Sequence, residues 1–82
     1  MAQLETIKAD KVVDARGTSC PGPILELKKG ITTVPVGGVL ELLSSDEGTK
    51  SDAPVWCSKV GHEFLGVIME SGYYRILVRR KK

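Results

Sequence analysis

Cysteine and histidine are scarce in this chain: two cysteines, Cys20 and Cys57, and one histidine, His62, among 82 residues. A tetrahedral structural zinc site draws on four Cys or His ligands, so these three fall short and no metal is expected. No C-x-x-C pair occurs, which removes a thioredoxin-type dithiol. The opening residues Met1-Ala2-Gln3-Leu4-Glu5 carry no basic-then-apolar stretch, so no signal peptide is expected. No apolar run is long enough for a membrane span. A Cys20–Cys57 disulfide is conceivable. Nothing else in the sequence has a secreted character, however, and the expected location is the cytoplasm, where thiols stay reduced. There is no internal repeat and no low-complexity segment.

What is present fits one small domain with a correspondingly small core. Residues 1–10 show no period and are expected to form a flexible lead-in, with 11–82 as the domain. The net charge is +2, unevenly spread. Arg75, Arg79, Arg80, Lys81 and Lys82 close the chain; the remaining seven bases face ten acids. A basic end on a slightly acidic body suits an acidic protein or RNA. The tail is short and carries no interleaved recognition motif, so direct nucleic-acid binding is not expected.

The chemistry gathers at Cys20-Pro21-Gly22-Pro23. Val12 to Ala15 reads as a short strand and Arg16-Gly17-Thr18-Ser19 as a turn. A helical pattern then begins, with Ile24, Leu27 and Ile31 on one face. Proline suits a first helical turn because its missing N–H has no intrahelical partner there. The residue before a proline is also pushed out of the helical region. Cys20 is therefore expected at the helix start, with Pro21 first in the helix and the N–H groups of Gly22 and Ile24 facing outward beside Pro23. A thiol there meets the positive end of the helix dipole and free donors, both of which favour the thiolate. The alternative is a small buried cysteine at a helix cap.

Taken in order, the first helix is expected from about Pro21 to Thr33, weakened by Gly30 and stopped by Pro35. Gly37-Gly38 turns the chain into a strand at Val39–Leu43, parallel to the first through a β-α-β crossover. Asp46 is expected to act as the N-cap of a second helix. Residues 47–60 read as helical in their second half, where Ala53, Trp56, Cys57 and Val60 share a face. Pro54 predicts a kink, or a single turn at 47–51 followed by a helix capped by Asp52. Gly61 supplies a C-terminal cap. Residues 63–69 alternate, with Phe64, Gly66 and Ile68 opposed to Leu65, Val67 and Met69. After a turn at Ser71-Gly72, residues 73–79 alternate again, giving a β-hairpin. The order β-α-β-α-β-β predicts a two-layer α/β (α+β) sandwich: a four-stranded mixed sheet with both helices on one face.

These elements and residues resemble the TusA (SirA-like) sulfur-carrier family over about Val12 to Lys82. The resemblance rests on Asp14-x-x-Gly17-x-x-Cys20-Pro21-Gly22-Pro23, where the family carries Cys-Pro-x-Pro. Ser45-Asp46, Asp52-x-Pro54, Trp56-Cys57, Gly61-His62-Glu63-Phe64-Leu65 and a closing strand with Tyr74, Arg75, Arg79 and Arg80 extend it. It implies a fold like the C-terminal domain of bacterial translation initiation factor 3. It also implies that Cys20 accepts sulfane sulfur as a persulfide from a cysteine desulfurase or a rhodanese. The sulfur would pass to a downstream protein in tRNA thiolation, molybdenum-cofactor assembly or dissimilatory sulfur oxidation, with no cofactor.

Cys57, on an apolar face, reads as a buried structural thiol rather than a partner for Cys20. His62, after the capping glycine, reads as structural or surface. Arg16, Leu25, Lys28 and Asp46 are expected to form a docking surface around Cys20, an apolar residue within a charged rim. The competing function class is an RNA- or ribosome-binding or regulatory module whose cysteine does no chemistry; fold analogy is weak support for it.

Overall fold

The computed structural model describes residues 9–17 and 22–82. The elements are β1 (Lys11–Asp14), α1 (Gly22–Ile31), β2 (Val39–Ser44), α2 (Glu47–Val60), β3 (Glu63–Glu70) and β4 (Tyr73–Arg79). They form a four-stranded sheet in the order β1-β2-β4-β3, with β1 parallel to β2 and the other pairs antiparallel. The expected element order and mixed sheet are both present. Expected residues Pro21, Cys20 and the lead-in up to residue 8 lie outside the described residues.

One face of the sheet carries the core. Leu40 and Leu42 of β2 stand opposite Val78 and Ile76 of β4. All four are wholly buried, in one cluster with Ile24, Leu27 and Ile31 of α1 and Ala53 and Cys57 of α2. Both helices therefore cover the same face. Burying one such aliphatic side chain contributes about 1.5–3 kcal/mol, so this stripe is what holds the helices down. Gly30 lets α1 sit close: a Cβ there would stand 2.7 Å from Val13 Cγ2 and 2.9 Å from Leu40 Cδ1. No described helix lies on the opposite face, although Leu77 there is wholly buried. Arg75 crosses that face, giving a bidentate pair to Glu41 at 3.1–3.2 Å and a 3.1 Å bond to Glu70.

Three local expectations are corrected. First, of the two expectations at Pro54 the broken one fails: α2 runs unbroken from Glu47 to Val60, with neither a separate turn at 47–51 nor a start at Asp52. Its buried stripe is Thr49, Ala53 and Cys57, which lie on both sides of the proline, so breaking the helix would unseat part of it. Val60, expected on that face, is exposed. Second, Asp46 holds the N-cap position with extended backbone, but its side chain makes no capping hydrogen bond. Third, β3 does not alternate cleanly. Phe64 pairs with Val78 and Gly66 with Leu77, leaving Leu65 as the extra residue of a β-bulge. Phe64 and Val67 consequently both pack on the core, although simple alternation puts them on opposite faces.

The turn glycines take the places expected of them. Gly61 ends α2 in the left-handed region at φ 87°, its N–H donating to the Cys57 carbonyl at 2.9 Å. α1 ends at Ile31, two residues short of the expected Thr33 and before Pro35. The hydroxyls of Thr32 and Thr33 turn back to the carbonyls of Lys29 and Gly30. No described helix is long and apolar enough to cross a membrane.

Candidate functional site

In a parallel β-α-β arrangement the helix after each strand begins at that strand's C-terminal end. Asp14 of β1 pairs with Leu43 of β2, and Ser44 pairs with Tyr74 of β4. The N-termini of α1 and α2, the turn after β1 and the start of β4 therefore gather at one end of the sheet. Cys20 lies in sequence between Gly17 and Gly22, the two described residues that flank it at this end.

On the Gly17 side the turn is tied down tightly. The Asp14 carboxylate accepts the Arg16 backbone N–H at 3.1 Å, Nε at 2.9 Å and Nη2 at 2.8 Å. The Arg16 hydrogen bonds hold the Asp14 carboxyl far below its usual range, at about 2. The Arg16 guanidinium stacks 4.9 Å from the centre of the Tyr73 ring. Gly17 adopts φ 85°, where side-chain-bearing residues are strained, and donates its N–H to Ser45 Oγ at 3.0 Å. On the Gly22 side, Pro23 and Ile24 are buried, and α1 has no acidic residue in its first turn to offset the positive end of its dipole.

Of the expected docking residues, Arg16, Leu25 and Asp46 share this end, and Lys28 does not. Leu25 is 49% exposed in the first turn of α1, whereas Lys28 is exposed in its last turn, towards the other end of the helix. Arg16 is exposed yet engaged by Asp14 and Tyr73. Asp46 starts α2, next to Ser45. Its backbone N–H donates to Ser44 Oγ at 3.2 Å, while its Oδ2 is buried without a hydrogen-bond partner. Beneath it, buried Ser44 and Thr49 join their hydroxyls at 3.1 Å. The sequence reading missed Tyr73 and Ser45 as neighbours of the cysteine turn. The available signal was topological: both adjoin turns at the sheet end where the parallel strands finish.

The remaining chemical candidates lie elsewhere. Cys57 is a free thiol, 1% exposed, and burial pushes its pKa up to about 11. His62 sits beside Glu63, which pairs with Arg79 at the opposite end of the sheet. Its Nδ1 accepts the Lys81 N–H at 3.2 Å and its ring lies 5.4 Å from that of Trp56. Burial and the nearby Arg80 and Lys82 charges push the imidazole below its usual pKa. The basic end of the chain is largely built into the fold. Arg80 donates to the carbonyls of Val34 and Thr32, and Arg79 and Lys81 pair with Glu63.

A family model described as sulfurtransferase TusA matches residues 11–80. The chain belongs to the TusA family. An Archaeoglobus fulgidus protein, provisionally named a sulfur carrier, is 51% identical over 71 residues, covering 87% of this chain and 97% of that one. The Pseudomonas entomophila protein named sulfur carrier protein TusA is 39% identical over 72 residues, 88% of this chain and 90% of its own. The fold also matches a solved SirA-like protein from Desulfitobacterium hafniense, with a TM-score of 0.75 at 19% identity over 88% of this chain and 99% of that one. Cys20 falls within the matched span, so the TusA family model covers the cysteine turn together with both helices and all four strands.

Proposed function

We propose that this chain is a sulfur carrier of a single domain, residues 11–82. In this reading Cys20 takes up sulfane sulfur from one protein and gives it to another. The observation that carries the proposal is the placement of the other cysteine. Cys57 is locked in the core with its thiol protonated at neutral pH, so a reactive sulfur in this family member falls to Cys20. The Cys20 thiolate attacks the terminal sulfur of a donor persulfide. A Cys20 persulfide forms, and the donor leaves as its thiolate. An acceptor thiolate then repeats the step on Cys20. Each transfer exchanges one S–S bond for another, so no outside oxidant enters.

The start of α1 supports the reading. Its dipole end, free of acidic residues, favours a thiolate and then the anionic persulfide. Leu25, with Arg16 and Asp46 nearby and Lys28 further along α1, fits a docking face for a persulfide-bearing protein such as a cysteine desulfurase or a rhodanese, and then for a protein acceptor. A thiol that must stay free between transfers suits the reducing cytoplasm. Mass spectrometry after incubation with a persulfide donor tests the proposal. The wild-type protein gains one sulfur on Cys20, Cys57→Ser keeps most of the gain, and Cys20→Ser loses it. If Cys57→Ser abolished loading as fully as Cys20→Ser, a disulfide mechanism would replace the single-thiol relay.

A further inference from the structure

The turn that leads to Cys20 is fastened to a strand that is not its neighbour. β4 is separated from β1 by β2, a distance of about 10 Å across two strand spacings. Arg16 spans the end of β2 to lay its guanidinium on the Tyr73 ring, 4.9 Å from the centre. Few side chains have that reach. Lysine has the length but lacks the planar fork that Asp14 grips through both carboxylate oxygens. The Asp14 pair, though exposed, fixes the plane of the guanidinium, and the ring then receives an already oriented cation. With Gly17 N–H bonded to Ser45 Oγ, the turn is tied to β1, to the β2–α2 junction and to β4 at once.

We propose that Tyr73 is a positioning residue for the cysteine segment: through Arg16 its ring fixes the base of the turn from which the chain proceeds to Cys20. The role of this clamp in sulfur transfer rests on the sulfur-carrier reading; the clamp itself does not. A protein donor must bring its own sulfur against Cys20 in a fixed orientation, whereas a small inorganic polysulfide can approach from any side. Loosening the clamp therefore penalises the protein donor selectively. An exposed cation–π contact corresponds to about a two- to fivefold change in an equilibrium, and that sets the size of the effect.

The test compares Tyr73→Leu, Tyr73→Phe, Arg16→Met and the double variant Tyr73→Leu/Arg16→Met, each checked for an unchanged circular dichroism spectrum. Amide hydrogen exchange at Arg16 and Gly17, whose N–H groups are bonded to Asp14 and Ser45, is measured on the unloaded protein, and loading of Cys20 is timed with a persulfide-bearing protein and with inorganic polysulfide. Tyr73→Leu is expected to speed exchange at these amides about two- to fivefold and to slow loading from the protein donor by a similar factor. Polysulfide loading should stay unchanged. Tyr73→Phe, which keeps the ring, should behave as wild type, and Tyr73→Leu should add nothing once Arg16→Met has removed the guanidinium the ring acts through. Unchanged exchange in Tyr73→Leu, additive losses in the double variant, or a Tyr73→Phe defect equal to that of Leu would each overturn the clamp. Should Tyr73→Leu fail to fold, Tyr73→Met must give the same exchange signature or the proposal falls. A wild-type protein that takes no sulfur while the exchange effect stands would refute the carrier reading and leave the clamp intact.

Discussion

Cys57 offers a direct measure of how far burial silences a thiol in this fold. Its pKa is raised from 9.0 to about 11 by desolvation, and its side chain is 1% exposed. Two units leave about one hundredth of the ordinary thiolate fraction at neutral pH. A more basic thiolate is a better nucleophile, by about 0.4–0.5 log units per unit of pKa, which returns about eightfold. The net expectation is a thiol about tenfold slower than an unperturbed one before access is considered. Access slows it further, because a reagent reaches Cys57 only when α2 lifts from the sheet. The assay is iodoacetamide alkylation of the Cys20→Ser protein, quantified by mass spectrometry from pH 6 to 10. Cys57 should react at least about tenfold more slowly than cysteine in a short peptide, and urea should abolish the difference. Alkylation at the peptide rate in the folded protein would refute the reasoning and reinstate Cys57 as a candidate in the relay. The same shift has a consequence for stability. The folded state holds the proton more tightly, so the contribution is full below pH 9 and is lost as pH rises through about 11.

Three further outcomes are expected. Replacing Leu25 or Lys28 by alanine should slow sulfur transfer from a protein donor and leave loading by inorganic polysulfide unchanged; equal loss with both donors would move these residues from docking into the fold or the chemistry. Gly30→Ala should lower stability by about 1 kcal/mol in urea unfolding, because crowding Val13 and Leu40 (typically 1–3 kcal/mol) outweighs the roughly 1 kcal/mol of helix propensity gained; a stabilised variant would show that both side chains yield. His62 has a depressed folded-state pKa, so its contribution is full above pH 6.5 and is lost as pH falls through the lowered value; His62→Gln should flatten the thermal midpoint between pH 7 and 5, and an unchanged slope would assign that titration to another group.

The sequence by itself determined the order of elements, because each is written in a local signal. Apolar spacing marks α1, alternation marks β4, and Pro35, Gly61 and Gly72 mark where the chain must stop or turn. It also singled out Cys20-Pro21-Gly22-Pro23, since two prolines and a glycine after a cysteine are a local pattern. Tertiary structure decided what local signals cannot carry. Pro54 reads as a kink or a break, and packing excludes the break, because Thr49 before it and Cys57 after it occupy one buried stripe of a single helix. The bulge at Leu65 is invisible to a period-two reading because register is set by the partner strand, and pairing with β4 brings both Phe64 and Val67 to the core. Asp46 looks like a cap, but the chain beside it directs a carboxylate oxygen into a buried position without a partner. Above all, the meeting of Arg16 with Tyr73 arises only from the strand order β1-β2-β4-β3, which brings the start of the last strand within one arginine's reach of the turn after the first.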